Sequence, residues 1–308
     1  MIKKISLYSV FILFLFLILF NVITNPTSFY NNIIGSLSVW LYNVYPALFT
    51  FYIIASCLIN FNIIKRISFV AKPFIKFETQ KAYELFITGI FVGNPSTASL
   101  IVNEYDANNI SINDANKLLR VSSFFNPLYI IAIVSSTFLF DIKYAFVIMV
   151  AIFLTNLLMG MFYKSDKKPL VKENLINPVI RLDTVFNAIN QAISLLLLVA
   201  GIMVFANILK FSLIHFLDLF SLNTPVISFL ISQFEISTGL VDIFNYDIPI
   251  RTVLPLASFM LGFQGISVNL QVLNIIIDHK FKFMPIFITR IFQGIIAGCI
   301  TFIIMNII

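Results

Sequence analysis

Four short runs place polar, helix-breaking residues among apolar neighbours. They are Gly93-Asn94-Pro95-Ser96-Thr97, Asn126-Pro127, Glu235-Ile236-Ser237-Thr238-Gly239 and Gly262-Phe263-Gln264-Gly265. Breaking a helix frees backbone N–H groups at one new end and carbonyls at the other. The N–H end carries partial positive charge and suits an anionic or polar ligand group. The half-helix opening near Pro95 offers such an end, with the hydroxyls of Ser96 and Thr97 beside it, and the run from Ser237 and Thr238 offers another. Asn94, Asn126, Gln264 and Asn269 add amide donors and acceptors. A single Ser or Asn in such a setting more often glues helices together. Four breaks in two matching pairs favour a binding site.

Glu235 lies between Phe234 and Ile236 and is the acid expected at greatest depth. A buried carboxylate must be paired, protonated or bound to a cation. It reads equally as a proton or sodium coupling site, or a direct substrate contact, and as a structural partner for Arg290. Asp242 and Glu104 are weaker candidates, nearer the hairpin ends. His215 and His279 fall at loop edges, and Cys57 and Cys299 lie in apolar runs as small buried side chains. No HExxH, GxSxG, P-loop or CxxC occurs, and no nucleophile–base constellation stands out, so the chain reads as a non-enzyme without cofactor or metal.

The elements that must position these residues are membrane helices. Of 308 residues, 59% are hydrophobic and 11% charged, against roughly 25% charged in a soluble domain. Mean hydropathy is +0.97. The apolar runs are continuous rather than alternating, which excludes a β-barrel. Seven stretches read as full spans, about 5–24, 36–59, 121–140, 143–163, 184–208, 252–277 and 284–306. The first, behind Lys3 and Lys4, has no small-x-small cleavage pattern after it and reads as a retained span. The interrupted stretches 82–106 and 225–246 read as re-entrant hairpins, because polar backbone at membrane depth needs protein or water around it. With the N-terminus in the cytoplasm this layout puts 16 of the 20 Lys and Arg residues inside, as the positive-inside rule requires. The same rule accounts for the net charge of +6 without nucleic-acid binding.

The layout contains a repeat. Residues 1–35 form an N-terminal span and connector. Residues 36–163 run span, hairpin, span, span, and after a cytoplasmic loop at 164–183 residues 184–308 run the same way from the opposite side. Inverted repeats with paired discontinuous helices are an architecture of secondary transporters, with the site where the breaks converge. The stretch from Ile63 to Phe77 reads as an amphipathic segment on the cytoplasmic surface, and Ser111 as the cap of the helix leading into span 121–140.

Two motifs carry a resemblance over roughly residues 36–306. Gly93-Asn94-Pro95-Ser96-Thr97-Ala98 with Phe124-Phe125-Asn126-Pro127-Leu128-Tyr129-Ile130-Ile131 is similar to the first half of the YlbJ-type sporulation integral membrane proteins, within the wider nucleoside-recognition or gate-domain group. Glu235-Ile236-Ser237-Thr238-Gly239 with Leu261-Gly262-Phe263-Gln264-Gly265-Ile266-Ser267-Val268-Asn269-Leu270-Gln271-Val272 resembles the second half. Where the family pattern reads Gly-Tyr-Pro-x-Gly, Asn94 and Thr97 stand here, and Asn126 replaces a frequent Gly. The resemblance implies an all-α polytopic membrane fold like that of concentrative nucleoside transporters, with two re-entrant hairpins and two broken spans. It also implies a role in spore formation, moving dipicolinate, a small aromatic dianion, in the bacterial cell membrane or the forespore membrane. The expectation is a carrier of a small organic anion. The alternatives are a nucleoside carrier and a non-transporting assembly factor or receptor. Its partners would be the lipid bilayer and a small-molecule substrate.

Overall fold

The computed structural model describes residues 2–61, 63–131, 141–163, 182–222, 224–245 and 247–308. All regular elements among them are helical. Five helical stretches are long and apolar enough to cross a membrane: Pro26–Asn60, Ile142–Phe162, Leu182–Asp218, Ile250–Ile276 and Phe283–Ile307. The burial pattern is that of a multi-pass membrane protein. Phe16, Ile23, Phe162 and Ile303 are exposed, while Asn126, Asn156, Gln264, Asn269 and Arg290 are buried. Apolar side chains face outward and polar ones pack inside, which lipid favours and water does not.

The chain starts with α1 (Ile2–Thr24) and α2 (Pro26–Val39). A π-helical turn, Trp40–Val44, joins α2 to α3 (Tyr45–Asn60). The wide turn absorbs Pro46, whose ring would otherwise strike a carbonyl of the preceding turn. Residues Pro26–Asn60 thus form one long helix that begins earlier than the expected span at 36–59. The stretch after it is not a continuous helix but two 3₁₀ turns, Ile64–Arg66 and Ser68–Ala71.

The first hairpin is α4 (Gln80–Val92) and α5 (Ser96–Asp106), broken at Gly93, Asn94 and Pro95 as expected. Thr79 caps α4 through the Ala82 N–H (3.3 Å). After it α6 (Ile112–Val121) is capped by Ser111, which accepts from the Asp114 N–H at 3.1 Å. The chain then runs extended through Ser122–Asn126 before α7 (Pro127–Ile130). The expected span 121–140 is described only to Ile131, and residues 132–140 lie outside the described residues. Next comes α8 (Ile142–Phe162). The expected loop at 164–183 falls outside the described residues up to 181.

α9 (Leu182–Asp218) continues ten residues past the expected end at 208. The second hairpin is α10 (Pro225–Ser232) and α11 (Ile236–Phe244); its break lies at Gln233–Glu235, so that Ser237, Thr238 and Gly239 of the expected break fall inside α11, because Glu235 caps that helix. α12 (Ile250–Phe263) and α13 (Gly265–Ile276) form a span broken at Gln264, as expected. α14 (Phe283–Ile307) packs on α12 at small residues. A Cβ on Gly262 would stand 2.9 Å from the Gln293 carbonyl, and one on Gly294 would stand 2.9 Å from the Phe259 carbonyl. Such close backbone approach is how membrane helices associate without a hydrophobic drive between them.

Asp114, buried on α6, organises the approach to the first hairpin. Its carboxylate accepts from the Glu78 N–H (2.9 Å), the Thr79 N–H (2.8 Å) and the Thr79 hydroxyl (2.7 Å). Burial pushes this carboxyl up, and those three bonds pull against the rise. Asp114→Ala strands two backbone N–H groups and is expected to cost about 3 kcal/mol. Thermal unfolding in detergent checks this, and an unchanged midpoint would show that water replaces the carboxylate.

Candidate functional site

The four chain breaks meet. In the first half, the Asn94 N–H donates to the Phe124 carbonyl at 2.8 Å, tying the hairpin tip to the extended segment before α7. In the second half, the Ile266 and Ser267 N–H groups donate to the Gln233 and Phe234 carbonyls at 2.6 and 3.0 Å, tying that tip to the break between α12 and α13. Gln264 joins the two sets. Its Oε1 accepts from Asn94 Nδ2 at 3.1 Å and its Nε2 donates to the Phe124 carbonyl at 3.2 Å. Gln264 holds φ +68, a left-handed backbone at the centre of the junction.

A small, partly enclosed cavity sits against this junction. The space open to the centre of a water molecule is about 30 Å³, room for about two waters. Asn94, Asn126, Glu235 and Ser237 line it, and with them Tyr129, Ser267 and Gln271. Asn126 caps α7, accepting from the Leu128 and Tyr129 N–H groups at 2.9 and 3.2 Å, while its Nδ2 donates to the Phe91 carbonyl at 3.1 Å. The Tyr129 and Ser237 hydroxyls bond across the cavity at 2.8 Å. Val44, Leu48, Val199 and Met203 supply apolar wall.

Three wall atoms are buried without a hydrogen-bond partner: Glu235 Oε1, Ser267 Oγ and Gln271 Oε1. A buried polar atom left unmatched costs about 1–3 kcal/mol, so three at one cavity call for a partner there, such as water or a ligand. The other Glu235 oxygen accepts from the Thr238 N–H at 2.8 Å, making Glu235 the cap of α11. Among the described residues no Lys or Arg lines the cavity.

The remaining expected residues turn elsewhere. Thr97 donates to the Gly93 carbonyl at 2.9 Å. Ser96 is fully buried with an unmatched hydroxyl but does not line the cavity. Thr238 faces α9, accepting from Lys210 Nζ at 2.9 Å and donating to Asn207 Oδ1 at 2.9 Å. Lys210, expected in an outer loop, is buried and paired with Asp242 at 2.5 Å. Asn269 donates to the Phe263 carbonyl at 3.0 Å and accepts from Arg290 Nη1 at 2.9 Å. Arg290 therefore braces the α12–α13 break and is not the ion-pair partner of Glu235. Tyr129, Ser267 and Gln271 all stand inside the two motifs, but their inward direction is set by helix phase. Ser267 and Gln271 are four apart on one face of α13, with Asn269 between them on the other. Among the described residues no cluster of His, Cys, Asp and Glu could hold a metal ion.

No family model matches the chain, and no solved structure gives a significant match. Among curated proteins, the sporulation integral membrane protein YlbJ of Bacillus subtilis (strain 168) is 26% identical, over 96% of this chain and 82% of that protein. This likeness along nearly the whole chain supports its place among the YlbJ-type sporulation integral membrane proteins, the family that its hairpin and broken-span motifs resemble.

Proposed function

We propose that this protein carries a small organic molecule across a bacterial membrane by alternating access, and that it serves spore formation. The observation that carries the reading is the cavity with three unmatched polar atoms where four chain breaks meet. The name of the Bacillus relative supports the sporulation setting. Two inverted units, 36–163 and 184–308, fit the pairing of each hairpin tip with the break in its own half. On this reading the N-terminus is cytoplasmic, the protein sits in the cell or forespore membrane, and it is not an enzyme.

The first ligand to test is dipicolinate, a small dianion. The half-helix ends and hydroxyls suit its carboxylates, but the cavity has no basic side chain. An ionised Glu235 would repel a dianion, so this ligand requires Glu235 to be protonated or a cation such as sodium to bind with it. The same acceptor-rich wall favours a second reading, an uncharged donor-bearing ligand such as a nucleoside. A non-transporting assembly factor would use neither.

Thermal shift of the detergent-solubilised protein with dipicolinate or uridine separates these. A ligand at 100 times its Kd stabilises by about 2.7 kcal/mol. The Ser267→Ala, Gln271→Leu double variant should keep or raise the melting temperature of the free protein, because it removes unmatched polar atoms, and should lose the ligand shift. No shift with either solute in the parent protein counts against the carrier reading.

A further inference from the structure

Beside this cavity lies a second, more open hollow of about 380 Å³. Its polar lining is Ser99 and Asn103 from α5 and Asn190, Gln191 and Ser194 from α9. These are amides and hydroxyls without a charge. Asn190, Gln191 and Ser194 are exposed on a helix long and apolar enough to cross a membrane. Polar groups there require water or protein rather than lipid. Several are held in place. Tyr52 donates to Gln191 Oε1 at 3.2 Å and lies 3.4 Å from the Ser99 hydroxyl, and Asn103 Nδ2 donates to Gln191 Oε1 at 3.3 Å.

The hollow and the cavity share their walls. On α5 the cavity has Pro95 and the hollow Ser99. On α13 the cavity has Gln271 and the hollow Ile275. On the antiparallel α9 the cavity has Val199 and the hollow Leu195. On α3 the cavity has Leu48, and Tyr52 holds the hollow's Gln191. Every step is four residues, one helical turn, or about 6 Å along the axis. Where the two spaces adjoin on α9 the wall is apolar, with Leu195 and Leu198 on the hollow and Val199 on the cavity.

We propose that the hollow is a peripheral binding site and the cytoplasmic access route for the small polar molecule that the cavity takes, with Leu195, Leu198 and Val199 as the apolar step between them. The inference rests on the carrier reading and adds the side of approach. The mouth lies where α5 and α13 end, bridged by His279 and Asp106 at 3.1 Å. Recognition there is by neutral hydrogen bonding, so an uncharged solute and an anion are both admitted, and selection falls to the cavity.

The test uses the full chain freed of thiols by Cys57→Ala and Cys299→Ala, in proteoliposomes, with a charged, membrane-impermeant methanethiosulfonate. Ser194→Cys should react at least about tenfold faster than Leu197→Cys, since only thiols that reach water ionise and react readily; Leu197 is exposed on the same helix but does not line the hollow. Labelling Ser194→Cys should abolish the flux of dipicolinate or uridine, whichever the unlabelled parent carries. An unreactive Ser194→Cys, with the reagent supplied on both sides of the membrane, overturns the proposal because the hollow is then dry. Full labelling with intact flux overturns it as a route. If the parent carries neither solute, the carrier reading falls and the route with it, while the reactivity contrast still reports whether the hollow is wet.

Discussion

Gly93→Ala is expected to leave little folded protein. Gly93 holds φ +72, a conformation that L side chains rarely adopt. A Cβ there would overlap the backbone nitrogen of Asn126 and stand 2.7 Å from the carbonyl carbon of Phe125. Neither neighbour is a side chain that can swing away. Making room would pull the tip of the first hairpin from the extended segment before α7, and with it the Asn94–Phe124 bond and the Asn94–Gln264 bond. Backbone overlap combined with a disfavoured φ belongs to the rare class of substitutions costing more than about 4 kcal/mol. The check is the monodisperse fraction after detergent extraction, with the thermal midpoint of what survives. Gly201→Ala is the control, since nothing lies within 4 Å of its Cβ and Ala in a helix gains up to about 1 kcal/mol over Gly. Equal yields for the two variants would refute the tight junction described above.

Glu235→Gln should fold normally and fail in function. The amide is nearly isosteric with the acid, and its oxygen can still accept the Thr238 N–H that caps α11. What disappears is the ionisable group in the cavity wall. The charged and titratable groups around Glu235 are Tyr129 on α7, Lys210 on α9 and Asp242 on α11. Lys210 is committed to Asp242 and Thr238, so among the described residues no Lys or Arg pairs directly with the carboxylate. If the carrier takes an anion, its binding should weaken as pH rises and Glu235 loses its proton, and in Glu235→Gln that dependence should vanish. If it takes a nucleoside, Glu235→Gln removes the strongest acceptor. A hydrogen bond to a charged group is worth about 1.5–3 kcal/mol, so affinity should fall about 10- to 100-fold. Titrating dipicolinate and uridine at several pH values reads both cases. A variant that binds either solute like the parent, with the same pH profile, would remove Glu235 from the site. Glu235→Ala is the less useful probe, because loss of the cap alone costs about 1 kcal/mol.

The two motifs contain every polar residue of the cavity wall, so the region was legible before any coordinates. The individual inward-facing residues were less so. Thr97, Thr238 and Asn269 have the right chemistry but point to a backbone carbonyl, to Lys210 and to Arg290. Tyr129, Ser267 and Gln271 have equally ordinary types and face the cavity. Lys210 shows the same limit for charge. Near the end of an apolar run it counts as a loop residue, until α9 continues to Asp218 and brings it against Asp242, 32 positions away.

Apolar runs and helix breaks are local properties. A continuous stretch of Phe, Ile and Leu must seek lipid wherever it packs, and Gly-Asn-Pro or Gly-Phe-Gln-Gly interrupts a helix in almost any surroundings. Helical membrane architecture, both hairpins and the break at Gln264 therefore follow from composition and order alone. The meeting of the four breaks does not. It depends on backbone hydrogen bonds between segments up to 33 residues apart, such as Gln233 with Ile266, and on Gln264 reaching Phe124 across 140 residues. Which side of each half-helix faces the cavity is likewise a matter of rotation about the helix axis. Packing against α5, α9 and α14 sets that rotation for α13, and it turns Ser267 towards the cavity and Asn269, two residues later, away from it.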